Sequence, residues 1–530
     1  MKRPATTRGG SAGGRGATAS DRGTSGRRST DRDSADGSAN GRGKMGRAAA
    51  DRAAGGRVST DRSATHRADP ATKGRPPAGR DAARKSSTSP AQRPLPAAAR
   101  IEQVREVLGE VLQWAHPADA VLSHWLRARP HMGARDRAEV AEAVFDVLRH
   151  LRRYRHFAES GSGPAARRLA ILGLASVFSE AALDAALLED EREWLARLRR
   201  IDPASLPAAV RHSLPDWLEQ RLAAVPRAEQ LIEALNCPAP LDVRVNPLKT
   251  ERGAVLEALR AGPAARYSPE PTRHSPWGIR LQGRPPVNRW PLFENGSLEV
   301  QDEGSQILAA LVAPKRGEMV IDYCAGAGGK TLLLGALMRS TGRLYAFDVS
   351  AARLARAKPR VARSGLSNVV PVVIRAEGDQ RVKRLAGKAH RVLVDAPCSG
   401  LGTLRRNPDL KWRQHPESLA ELRQVQARIL RQAARCVAPG GRLVYATCSI
   451  LSEENEDQVQ AFLAENPEFE LLEAGPIVAD RCENLTFEGP YLALRPDLHG
   501  TDGFFAAALQ RRKPVQPRTE PESELTHKPD

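Results

Sequence analysis

The spacing of apolar residues changes twice along this chain. From Ile101, the residues Ile101, Val104, Leu108 and Val111 recur at helical intervals, and Val140, Val144, Val147, Leu148 and Leu151 do so again. The pattern continues through Arg168 to Leu174, Ala181 to Leu198 and Trp217 to Leu235, with breaks at Gly161-Ser162-Gly163-Pro164, Pro203 and Pro215, so residues 99–236 are expected to form a helical domain. After Cys237-Pro238-Ala239-Pro240 the period shortens. Leu241, Val243 and Val245 alternate with Asp242 and Arg244 as in a half-buried strand, Gly253 to Leu259 reads as a short helix, and residues 237–300 predict a small α+β module.

In residues 301–512 short apolar runs end on reactive or acidic residues. Met319-Val320-Ile321 ends at Asp322, Arg343 to Phe347 at Asp348, and Val392 to Val394 at Asp395. Val369 to Ile374 precedes Glu377-Gly378-Asp379, and Leu443-Val444-Tyr445 precedes Cys448. Helical stretches at Lys330 to Met338 and Ala351 to Ala362 separate the first three runs, and Phe504 to Leu509 is a late strand. Such alternation predicts an α/β fold with a mostly parallel sheet, whose ligands bind outside the carboxyl ends of the strands. Asp322, Asp348, Asp379, Asp395 and Cys448 all fall there.

Charge adds a separate segment. Residues 1–100 hold 22 Lys and Arg against 8 Asp, so 14 of the net 19 positive charges lie in them. That stretch has no Phe, Trp or Tyr and cannot bury enough surface to offset its chain entropy, so residues 1–98 are expected to be a disordered basic tail, suited to a nonspecific hold on phosphates or simply to solubility. Residues 513–530 read as a second disordered tail. Six cysteines without a CxxC pair form neither a disulfide framework nor a zinc site, which fits a reducing, cytoplasmic setting with no metal. No apolar run has transmembrane length, and nothing resembles a secretory signal.

The chemistry lies in three motifs. Gly326, Gly328 and Gly329 make a tight turn between a strand and a helix, and Asp348 stands about 20 residues on at the tip of the next strand, an arrangement suited to an adenosine cofactor. A phosphate-binding P-loop is excluded, because its first glycine falls on Cys324. Asp395-Ala396-Pro397-Cys398-Ser399-Gly400 makes Cys398 the first candidate nucleophile. Thr447-Cys448-Ser449 then delivers a second thiol from the neighbouring strand end. Either cysteine alone is as readily core filler; two in one pocket favour chemistry. Cys237, Cys436 and Cys482 lack such a context and are expected to be structural.

These motifs, DYCAGAGGKT at 322–331, DAPCSGLGTLRRNPDLKW at 395–412 and YATCSILSEEN at 445–455, together with LDVRVNPLK at 241–249, VQDEGSQ at 300–306 and DGFF at 502–505, resemble the RsmB/Sun (Nol/Nop/Sun) family of RNA cytosine-5 methyltransferases, in its bacterial 16S ribosomal RNA branch. The likeness covers roughly residues 100 to 512. It departs at Gly326-Ala327, where the family commonly has Ala-Pro, and a turn without proline is expected to be more flexible. The resemblance implies a Rossmann-like class I methyltransferase domain preceded by a NusB-like helical domain and an RNA-binding module. It also implies a monomeric enzyme that uses S-adenosyl-L-methionine. Cys448 would be the nucleophile at carbon 6 of cytosine, Cys398 would assist product release, and Asp395 would hold and activate the base. The cofactor would lie on Cys324, Ala325, Gly326, Ala327, Gly328, Gly329 and Lys330, with Asp348 at the ribose, Asp379 rather than Glu377 near the adenine, and Asp395 bordering the methyl group. Lys330 would meet either the cofactor carboxylate or the base.

Three basic clusters are candidate RNA contacts: Arg149, Arg152, Arg153 and Arg155; Arg244, Asn246, Lys249, Arg252 and Arg273 near Trp277; and Arg405, Arg406, Lys411 and Arg413 beside Trp412. Transfer RNA is an alternative substrate, and a ribosome assembly factor without chemistry an alternative function. A DNA cytosine-5 methyltransferase would lack the Thr-Cys partner.

Overall fold

The computed structural model describes residues 97–375 and 379–514. The basic N-terminal stretch up to residue 96, Glu377, and the C-terminal tail from residue 515 lie outside the described residues.

Helices run from Ala97–Val111 to Ala228–Asn236. The predicted periodic residues Ile101, Val104, Leu108, Val140, Val144 and Leu148 are fully buried in one core with Trp125 and Trp194. Two stretches expected as single helices are each split, into Glu180–Asp184 and Glu189–Leu198, and into Asp216–Ala223 and Ala228–Asn236. Periodicity persists across both splits because each half buries its stripe on the same side. The breaks are local: the Glu191 carboxylate accepts from the Leu188 amide at 3.0 Å and starts a new helix, while Pro226 cannot donate within a helix and Arg227 takes a φ of 57°.

Four short strands follow: β1 (Leu241–Val245), β2 (Glu270–Pro271), β3 (Gly278–Leu281) and β4 (Leu298–Val300). They form an antiparallel sheet in the order β2-β3-β1-β4, against which the helix Arg252–Ala261 packs Val255 and Leu259. Alternation in β1 suggested one wet face, yet Asp242 and Arg244 are as buried as Val243. Asp242 accepts from Arg280 at 2.8 and 2.9 Å and from the Glu303 amide at 3.2 Å, and Arg244 donates to the Gly329 carbonyl at 3.0 Å. The polar face of β1 is thus the seam with the following domain.

That domain is built on a sheet of eight strands: β5 (Met319–Asp322), β6 (Arg343–Asp348), β7 (Val369–Val373), β8 (Ala389–Asp395), β9 (Val437–Thr447), β10 (Phe469–Leu472), β11 (Leu492–Leu494) and β12 (Phe504–Arg511). The order is β10-β12-β9-β8-β5-β6-β7, with β11 also paired to β12. Strands β5 to β9 are mutually parallel and β12 returns antiparallel to β9, which makes the sheet Rossmann-like. From β5 the chain winds outward through β6 and β7, then returns to β8 on the other side. The crevice beyond β5 and β8 is therefore the switch point where ligands bind.

Most of the basic residues singled out as RNA contacts instead join these parts. Lys411 is fully buried and donates to the Arg149 carbonyl at 2.7 Å and to Asn236 at 2.8 Å, and burial holds its pKa well below the ordinary lysine value. Trp412 donates to the Leu148 carbonyl at 2.6 Å, Arg149 to the Arg405 carbonyl at 3.1 Å, and Arg405 to the carbonyls of Gly500 and Thr501. Arg413 pairs with Asp409 at 3.6 Å. In the second cluster Asn246 bonds the carbonyls of Gly296 and Ser364, Lys249 those of Asn295 and Arg363, and Arg252 that of Ser275. The reason is geometric: an arginine or lysine beside a domain seam satisfies carbonyls that the opposing element leaves unpaired. Arg155 and Arg273 remain exposed.

Arg406 sits between Asp302 at 2.9 Å and Asp502 at 2.6 Å and also donates to the Pro240 carbonyl. Arg406→Met leaves two buried carboxylates facing each other, and we expect a loss of about 3 kcal/mol in urea unfolding. A variant as stable as the parent would return Arg406 to the list of RNA contacts.

Candidate active site

Strand β5 delivers Asp322 and then the turn Tyr323 to Gly328. Tyr323 donates to the Leu393 carbonyl and Ala325 to the Phe347 carbonyl, both at 2.8 Å, so the turn leaves the sheet pinned between β8 and β6. Gly326 and Gly328 have φ of 56° and 83°, the left-handed region, and a side chain at Gly326 would project into open space. Glycine at 326 suits this backbone, since it takes the positive φ without strain. The helix Gly329–Leu337 then starts, among the described residues, without a side-chain cap, and an uncapped N-terminus favours a polar or anionic ligand group.

Asp348, at the end of β6, accepts from the Gly326 amide at 2.9 Å through one oxygen and from the Ser350 amide at 2.7 Å and Arg353 at 2.9 Å through the other. Its carboxylate is thereby aimed into the glycine turn, and the oxygen bonded to Gly326 keeps an acceptor site for a ribose hydroxyl. Asp322 is buried, with one oxygen accepting from Thr331 at 2.7 Å and the other without a partner among the described residues. These features fit an adenosyl cofactor along Cys324 to Lys330. Cys324 contributes packing, since burial pushes its thiol far above the usual range.

Asp379 is not gathered into this group. It caps the helix Gln380–Lys383, and both its oxygens are taken by the amides of Arg375 and Arg381 and by the Arg381 guanidinium, which holds its pKa well below the ordinary carboxylate value. None of these hydrogen bonds reaches the other site residues.

The two cysteines do meet. Asp395 lies opposite Ala446 in the parallel pairing of β8 with β9, so the Pro-Cys and Thr-Cys loops leave the sheet side by side. The sulfurs of Cys398 and Cys448 are 3.3 Å apart, and the Cys448 amide also points at the Cys398 sulfur at 3.3 Å. Gly402 locks the loops together: it donates to the Cys448 carbonyl at 2.9 Å and accepts from Gly503 at 2.8 Å, where a Cβ would fall 2.2 Å from the Gly503 oxygen. The hydrogen bond from Cys448 and burial push the Cys398 thiol well up. Lys330 reaches across from the glycine turn to Asp395 at 2.8 Å, over the Phe504 ring. Burial lowers its pKa, but Asp395, Cys448 and Asp322 outweigh burial and the net shift is upward.

Glu454, Arg360 and Glu299 support the site without being candidates from the sequence, and Arg244, a candidate RNA contact, supports it instead. Glu454, fully buried, holds the Cys398 loop through Ser399. Arg360, paired with Glu299 at 2.8 Å, donates to the Ala327 carbonyl, and Arg244 braces Gly329 from below. Glu454 stands within the quoted YATCSILSEEN motif, which was its available signal; Arg360 and Glu299 carry none, being surface-like residues of a helix and an edge strand. A cleft of about 1120 Å³ opens beside Ser449 and Ile450 and is bounded by Arg221, Arg227, Arg273 and Phe504. Among the described residues no cluster of three or more His, Cys, Asp or Glu is arranged to hold a metal ion.

A family model described as 16S rRNA methyltransferase RsmB/F matches residues 309–510, and one described as a ferredoxin-like domain of RsmF/B-like methyltransferases matches residues 214–288. The ribosomal RNA small subunit methyltransferase B of Sodalis glossinidius is 37% identical over 326 residues, 59% of this chain and 70% of that one. A probable ribosomal RNA small subunit methyltransferase B of Synechocystis is 34% identical over 318 residues, with the same shares. The crystal structure of the protein PH0851 superposes with a TM-score of 0.63 at 26% identity, covering 78% of this chain and 99% of that chain.

Burial raises the pKa of Asp322 to about 7 against the opposing pull of Thr331. The folded state therefore binds a proton that the unfolded chain has released above pH about 4, and stability falls as pH rises from there to about 7. Asp322→Asn is expected to flatten this slope, worth on the order of a few kcal/mol, in thermal unfolding followed at pH 5 and pH 8. An unchanged slope would mean that Asp322 is not its source.

Proposed function

The chain belongs to the RsmB/F family of S-adenosylmethionine-dependent RNA methyltransferases, and from that premise we propose that it methylates carbon 5 of a cytosine in 16S ribosomal RNA through a covalent cysteine intermediate. The observation that carries this reading is the 3.3 Å approach of Cys398 and Cys448 at adjacent strand ends, beside the Lys330–Asp395 pair. Carbon 5 of cytosine is a poor nucleophile. A thiolate added at carbon 6 pushes electron density onto carbon 5 and divides one difficult step into easier ones.

Cys448 forms the bond to carbon 6, and the Lys330 ammonium lies on its flank. Asp395 gives one oxygen to Lys330 and turns the other toward the base edge near N3. S-adenosylmethionine would be held at Cys324 to Lys330 with its ribose on Asp348 and would supply an electrophilic methyl group there; Asp379, expected near the adenine, would first have to give up a bond of its own loop. Cys398 takes the proton from carbon 5, the C5–H electrons restore the C5–C6 double bond, and Cys448 leaves. A base stacked in a helix costs a few kcal/mol to extrude, which favours a single-stranded or opened site. The cleft beside Ser449 and Ile450 has room for the flanking strand.

Cys448→Ala is expected to abolish methyl transfer and leave no adduct, whereas Cys398→Ala accumulates protein–RNA adduct that survives a denaturing gel. The reverse pattern would overturn the assignment of the two thiols. Bisulfite sequencing of 16S ribosomal RNA from cells with and without the gene should show one cytosine that loses protection; full protection without the gene would overturn the substrate.

A further inference from the structure

Behind the two thiols lies a buried polar network that the reaction above does not use. Glu454 is fully buried, in the turn Ser452–Glu454 that follows the Thr-Cys loop. One of its carboxylate oxygens accepts from the Ser399 amide at 2.8 Å and from Gln426 at 2.9 Å, and the other from the Ser399 hydroxyl at 2.5 Å. Gln426 also donates to the Pro397 carbonyl at 3.0 Å, and Tyr445 donates to the Glu454 carbonyl at 2.7 Å. The carboxylate thus grips Ser399 directly and, through Gln426, the Pro397 carbonyl on the other side of Cys398. Glu454 forms no ion pair among the described residues, so its charge acts undiluted on what lies nearest.

We propose that Glu454 is a positioning residue that decides where the shared proton of the Cys398–Cys448 pair rests, keeping it on Cys398 and leaving the negative charge to Cys448. The proposal rests on the covalent reading above. The titratable groups facing Cys398 are Tyr445 from β9, Cys448 from the loop that leaves it and Glu454 from the turn beyond, while helix Pro416–Ala434 presents the neutral Gln426. The cation lies on the other flank: Lys330, paired with Asp395, acts on Cys448. A negative charge behind one sulfur and a positive charge beside the other polarise the pair in one direction.

The cycle then closes. Once the Cys448 sulfur is bonded to carbon 6 it carries no charge, and the Cys398 thiol loses its proton to solvent. The resulting thiolate removes the carbon 5 proton as the C6–S bond breaks toward Cys448. Elimination thereby restores the proton to Cys398 and the charge to Cys448, and the one proton released to solvent is the one the overall methylation must yield.

The test is the pH dependence of alkylation by iodoacetamide, read separately on Cys398 and Cys448 by peptide mass spectrometry in the full-length protein. In the parent, Cys448 is labelled first at neutral pH. Glu454→Gln is expected to lower the pH midpoint for Cys398 by about one to two units and to move early label onto Cys398. Gln426→Lys, which places an ammonium against the same carboxylate, is expected to do the same, and it serves if Glu454→Gln does not fold. Ser399→Ala removes a hydrogen bond and keeps the charge, and should leave the midpoint in place. Unchanged midpoints in both charge variants, or an equal shift in Ser399→Ala, would overturn the proposal. Labelling needs no RNA, so that failure is distinct from failure of the methyltransfer reading, which would appear in the adducts of the cysteine variants.

Discussion

The parallel pairing of β8 with β9 is the constraint from which the site follows. With Asp395 opposite Ala446, the Pro-Cys loop and the Thr-Cys loop emerge at the same height from the middle of a sheet whose residues Val392, Val394, Leu443 and Tyr445 are wholly buried. A slip of one residue would turn every side chain of a strand to the opposite face, so a core on both faces holds the register firmly. Two sulfurs within 3.3 Å are a consequence of that register, secured by the backbone contact of Gly402 with Cys448 and Gly503.

Around this centre, charges are placed in pairs with different tasks. Lys330 and Asp395 pair with each other across the strand ends, while Glu454 fixes the loop that carries Cys398. Further out, Arg244 and Arg360 support the glycine turn by its carbonyls, and Arg360 is held in turn by Glu299 of the small antiparallel module. That module is therefore part of the cofactor site's foundation. The helical domain is joined to the segment following Cys398 through Lys411, Trp412 and Arg149, so a change in the helical domain bears on the same loop that carries the thiol.

The strand ends, the glycine turn, Asp348 and both cysteines were legible in the sequence because each is a local signal: an apolar run stopped by a polar residue, or a turn that only glycine makes easily. Arg406, Lys411 and Arg244 were misread for the complementary reason. A lysine or arginine looks alike in sequence whether it meets a phosphate or a carbonyl 100 residues or more away, as Lys411 does with Arg149. Asp379 matched its motif by position, yet its oxygens are taken by its own loop.

By itself the sequence determined the order of the helical, antiparallel and doubly wound parts, because periodicity and turn chemistry act over a few residues. It also determined the pair of motifs that identifies the family. Only the tertiary structure decided which charges gather at the strand ends beside the two thiols and which brace the fold. That depends on desolvation and on partners brought together by strand order, and neither is encoded within any one stretch of the chain.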